Sequence, residues 1–170
     1  MVYAVLVVVA GVAANLLFAA MFAARVVAPR HARALGLAGT AMAVPLAAAA
    51  GIAAASGRDM WAVVLPLVFG AFALVEVLAD VVGIVDVRRT GWLWPYLLAF
   101  YAAQWAVIGA AFLADPRGGF AVLASYFVTL AATAVSYRRV GHGTRLAGTD
   151  GDAPAPGSVS GAWRRRRPSR

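Results

Sequence analysis

The sequence predicts an all-α fold, a polytopic membrane helix bundle with five transmembrane helices, and three observations predict it. Hydrophobic residues make up 63% of the 170-residue chain and charged residues 13%, more apolar surface than one water-soluble core of this size could cover. The apolar residues gather into five runs before Tyr137, each close to the roughly 20 residues that a helix needs to cross hydrocarbon. None of the runs alternates polar and apolar residues as the wall of a barrel would.

The first run, 2–24, carries Gly11, Asn15, Ala19 and Ala23 at four-residue spacing. Its end, Phe22-Ala23-Ala24, has the small residues a signal peptidase accepts. No basic stretch precedes it, and it is longer than the apolar core of a leader, so it is read as a retained span. The second run, 35–56, is mostly alanine, which enters lipid less favourably than leucine or phenylalanine, and a four-span arrangement is the alternative. Gly39, Ala43, Ala47, Gly51 and Ala55 predict a face of small residues suited to close helix packing, and Pro45 predicts a kink.

The third run, 61–85, contains Pro66 and, deeper, the acids Glu76 and Asp80. The fourth, 92–114, opens on Trp92, Trp94, Pro95 and Tyr96, the pattern of an aromatic belt at a membrane surface. The fifth, 120–137, carries Thr129 and Thr133. Residues 1–137 therefore read as the transmembrane domain. Residues 138–170 are mostly Gly, Ala, Pro, Ser, Asp and Arg, a composition that predicts a disordered tail. Near its end stand Trp163 and then Arg164, Arg165, Arg166 and Arg167. Two readings stand side by side, contact with anionic lipid, at about 1 kcal/mol per arginine, and a solubilising, orientation-setting tail, with nucleic acid unlikely.

Arginine sets the expected orientation. All 15 basic residues are Arg. Thirteen fall in alternate segments: Arg25, Arg30 and Arg33 after the first run, Arg88 and Arg89 after the third, and eight in the tail. The other two, Arg58 and Arg117, each have an acid nearby, Asp59 and Asp115. By the positive-inside rule the N-terminus faces out and the C-terminus faces the cytoplasm. The alanine- and arginine-rich composition suits a GC-rich bacterial genome, and the expected location is the plasma membrane.

The acids of the third run carry the functional information. Glu76 and Asp80 are four residues apart and project from the same face of a helix. An acid near the centre of a span costs roughly 3 kcal/mol to insert, so such residues face a bundle interior or a wet cavity. Two carboxylates this close in low dielectric share a proton, bind a cation or meet an arginine. Counting from the ends of the runs puts Asn15, Gln104 and Thr129 within a turn of the midplane, in one polar layer with Glu76. Thr133 falls nearer the depth of Asp80, and Tyr101 shares a helix face with Gln104.

Two functions follow, from different classes. In the first, the protein is a small proton- or cation-linked transporter or channel that binds its coupling ion at Glu76 and Asp80. In the second, it is a non-catalytic scaffold or accessory subunit, whose acids are structural or meet a membrane partner. Both allow a homo-oligomer. An enzyme ranks third: the chain has no nucleophile motif, no phosphate-cradling glycine loop and no cysteine. His31 and His142 lie outside the runs. No cofactor is implied.

Overall fold

The computed structural model describes residues 1–81 and 93–140, with the backbone alone at 79–81, 93 and 140. Its elements are α1 (Val2–Val27), α2 (Pro29–Ala41), α3 (Ala43–Ala55), α4 (Met60–Val81), α5 (Leu93–Ala114) and α6 (Pro116–Val140). Among the described residues there is no strand. Five helices are long and apolar enough to cross a membrane: α1, the α2–α3 pair taken together, α4, α5 and α6. The expectations placed on Arg88, Arg89 and Trp92, and on the tail from residue 141 with Trp163 and Arg164 to Arg167, lie outside the described residues; residues 138–140, expected in the tail, belong to α6.

Prolines set two of the breaks. Ala28, with φ −151° and ψ 67°, precedes Pro29, whose ring disfavours a helical conformation in the residue before it. Pro29 itself suits the first turn of the next helix. The expected first loop therefore shrinks to one residue. Arg25 belongs to the last turn of α1, and Arg30 and Arg33 to α2. Within the second span, Pro45 has no N–H to offer the carbonyl of Ala41 four residues earlier. The helix is interrupted there, α2 ending at Ala41 and α3 beginning at Ala43. Pro66 has the same chemistry, yet α4 runs through it unbroken.

Glycine and two acids shape the opposite end of the bundle. Gly57 adopts φ 63° and closes α3: its N–H bonds to the Ala54 carbonyl at 3.2 Å, and the Arg58 N–H to that of Ala53 at 3.0 Å. This paired arrangement satisfies carbonyls that a helix end leaves without partners. Asp59 then caps α4, its Oδ1 accepting from the Trp61 N–H at 2.8 Å. Asp115 caps α6 through the N–H groups of Gly118 at 2.9 Å and Arg117 at 3.3 Å. Both acids thus serve as helix caps. The Arg58 guanidinium sits over the Tyr3 ring, 4.7 Å from its centroid.

Helix α1 packs against α2, α3, α5 and α6, most extensively against α6. Gly11 permits this approach, since a Cβ there would stand 2.8 Å from Val107 Cγ1 and 3.2 Å from both Val122 methyl groups. Toward the other end the contact is aromatic, with Phe100 edge-on to Phe18 at 5.4 Å, to Phe22 at 6.3 Å and to Phe72 at 5.6 Å. The expected small-residue face of the second span is only partly used. Gly39 packs on the Phe18 ring, but Ala47, Gly51 and Ala55 point away from the bundle. Leu46, Ala49, Ala50 and Ala53 are buried instead. In this mostly alanine helix Leu46 enters the core, while Val44 and Ile52 face outward.

The turn after α3 gives a direct check. Gly57→Ala forces a Cβ into the left-handed region and should lower stability by about 1 kcal/mol, and Asp59→Ala should cost a similar amount, about 1 kcal/mol, by removing the α4 cap. Thermal unfolding of the detergent-solubilised protein measures both. Two variants as stable as wild type would contradict this turn.

Candidate functional site

Glu76 lies on the inner face of α4 and is 6% exposed. Tyr96, in the first turn of α5, donates its hydroxyl to Glu76 Oε2 at 2.5 Å. The sequence placed Tyr96 in an aromatic belt. Trp94 does face outward, 78% exposed, but two residues along a helix turn the side chain through about 200°. Tyr96 is thereby aimed inward.

A small cavity surrounds this pair. Its polar lining is Arg25 from α1, Glu76, Tyr96, and Thr133 and Tyr137 from α6; Phe18, Met21, Phe22, Leu97 and Phe100 complete it. The volume is about 10 Å³, the lower limit for a single water. No organic substrate fits such a space. The Arg25 guanidinium lies over the Phe22 ring, 5.1 Å from its centroid. Sequence reasoning missed Arg25 as a member of the site because it counted the residue as loop charge. The spacing of Phe18, Phe22 and Arg25 is the signal that could have found it, since the three share one helix face.

Asp80 sits one turn beyond Glu76 on the continuous helix α4, and its side chain lies outside what is described.

The other polar residues form a second cluster. Asn15 Nδ2 donates to the Val122 carbonyl at 3.1 Å and to Ser125 Oγ at 2.9 Å. Thr129 Oγ1 donates back to the Asn15 carbonyl at 2.7 Å. These bonds clamp α1 to α6. Gln104 on α5 is also buried. Asn15, Ser125 and Thr129 thus form one hydrogen-bonded group, and Glu76 with Tyr96 another. Eight residues of α5 separate Gln104 from Tyr96, the partner of Glu76, a rise of about 12 Å.

Thr133 joins the two groups: it lines the Glu76 cavity and donates to the Thr129 carbonyl at 2.8 Å. Tyr101 is half-buried, stacked edge-on against Phe100 and Tyr126, with its hydroxyl toward Thr133. Ser125 was not anticipated. It begins a stripe continued by Thr129 and Thr133 at four-residue spacing, a pattern the sequence does contain.

Among the described residues, no group of three or more His, Cys, Asp or Glu could hold a metal ion. No protein-family model, curated protein or solved structure matches the chain. Fold and site together describe a helical protein with membrane-length spans and a buried carboxylate held by a phenol.

Tyr96→Phe removes a hydroxyl donor from Glu76 and should lower stability by about 1–3 kcal/mol, while Tyr101→Phe should cost less. Equal losses in the two variants, read from thermal unfolding in detergent, would remove the special place of Tyr96.

Proposed function

We propose that the chain is a small multi-pass protein of the plasma membrane, N-terminus outside and C-terminus in the cytoplasm, that passes protons across the bilayer through Glu76. The observation that carries this reading is a carboxylate buried in a membrane-length helix beside a cavity of water size. An ionisable group in such a place is costly, and its usual use is in ion or proton movement. Between proton and cation, the space favours the proton. The cavity has room for about one water, too little for a cation with the several oxygen ligands it requires, whereas a proton needs only a carboxylate oxygen. Asp80, one turn further toward the arginine-rich end, is the natural second acid for exchange with the cytoplasm.

One observation favours the other reading, a scaffold or accessory subunit. An arginine beside a buried acid is also the arrangement of a purely structural charge. Flux separates the two. Purified protein in vesicles loaded with a pH-sensitive dye should collapse an imposed pH gradient faster than protein-free vesicles, and Glu76→Gln should reduce the rate to that of empty vesicles while keeping the helical fold. Wild-type vesicles that leak no faster than empty ones would leave the scaffold reading in its place.

A further inference from the structure

Two buried polar atoms lack hydrogen-bond partners among the described residues and have complementary chemistry. Asn15 Oδ1 is an acceptor and Gln104 Nε2 is a donor, and both side chains are 1% exposed. Their neighbours do not compensate. Asn15 spends its amide N–H groups on Val122 and Ser125. The Ser125 hydroxyl donates to the Val122 carbonyl at 2.7 Å and that of Thr129 to the Asn15 carbonyl.

The register of the helices brings the two amides to one level. Helices α1 and α5 pack together, with Gly11 against Val107 and Phe18 against Phe100. Each step up α1 is therefore matched by a step down α5. Between those contacts, Asn15 comes opposite residues 103 and 104. On the third side, Tyr126 of α6 contacts both Tyr101 and Trp105 of α5, so Ser125 belongs to the same level. Leaving a buried donor or acceptor unsatisfied costs about 1–3 kcal/mol each. Two such atoms at one level, on helices in contact, ask for something that serves both.

We propose that Asn15 and Gln104 hold a buried water at the centre of the bundle, between α1, α5 and α6. Water both donates and accepts, and it is the smallest common molecule that does so within a packed interior. It donates a hydrogen bond to Asn15 Oδ1 and accepts one from the Gln104 N–H, with the Ser125 oxygen available as a further acceptor. A bare cation would satisfy Asn15 and be repelled by the Gln104 N–H; an anion would do the reverse. Above the site, toward Tyr3, Gly11 is closed over by Val107 and Val122, a dry layer that isolates the water from that end. Below it, Thr129 and Thr133 continue the polar face of α6 to the cavity of Glu76. The hydroxyls on that face donate to backbone carbonyls, so the stripe is not itself a proton wire. The site stands whether or not Glu76 moves protons.

Solid-state NMR of the protein in lipid bilayers, with magnetisation transferred from water to side-chain amides, tests this. The Gln104 side-chain N–H should receive magnetisation from water although it lies in the middle of a span, and Asn15→Leu should abolish the transfer while the backbone spectrum stays folded. No transfer to Gln104 in the wild-type protein would overturn the proposal, whether or not the variant folds. Transfer that persists unchanged in a folded Asn15→Leu protein would overturn it too, because the water would then not depend on Asn15.

Discussion

Hydrocarbon offers no hydrogen bonds, so every polar atom placed in a membrane-length helix has to find its partner inside the protein. Most of the interior of this chain follows from that constraint. Asn15 is bound through its side-chain amide and through its backbone carbonyl to residues of α6, and these bonds fix the rotation of α1 against its most extensive neighbour. Gly11 then allows the backbones to approach. The same rule turns Tyr96 inward, where its hydroxyl donates to the buried carboxylate of Glu76. Apolar packing completes the bundle around Phe18, Phe22, Phe72 and Phe100, but it is the polar contacts that specify which face of each helix meets which. In lipid, where apolar surfaces are equally content on either side, such contacts and close small-residue packing are what distinguish one arrangement from another.

The helices themselves were legible because length and hydropathy are nearly sufficient for membrane spans. What the sequence conveyed less well were their ends. Pro29 was visible, yet its effect, compressing a loop to Ala28 and drawing Arg25 into α1, required seeing that the helix before it continues to Val27. Pro45 was expected to bend its span, and the span is interrupted beside it. The alanine-rich face of α3 misled because periodicity carries no information when nearly every position is small. Asp59 and Asp115 were read for their charge, while their geometry makes them caps. Of the candidate site, Glu76, Asn15, Gln104, Thr129 and Thr133 were recognisable as polar residues inside apolar runs. Which of them hydrogen-bond to one another was not, because depth counted from uncertain span ends does not fix side-chain partners.

Arg25 and Tyr96 carry the larger lesson for function. Each belongs to a class, interfacial charge and interfacial aromatic, whose ordinary role at a membrane surface explains it without further thought. Rotation about the helix axis, which sequence position fixes only relative to neighbours, converts both into lining of one cavity with Glu76. The result is a carboxylate with a phenol donor, a guanidinium nearby and room for about one water. Such a group is built either to hold a charge still or to exchange it. The functional question for this protein is which of the two Glu76 does.

Stability linked to ion binding answers that question most directly, since a ligand that binds only the folded state raises its stability with the logarithm of its concentration above the dissociation constant. Unfolding temperatures of the purified wild-type protein and of Glu76→Gln, compared across pH and a panel of monovalent and divalent cations, supply the measurement. An exchanging carboxylate predicts that the wild-type unfolding temperature shifts with pH, and that the shift disappears in the variant. Parallel curves for the two proteins across the whole series would contradict it and make Glu76 a fixed structural group.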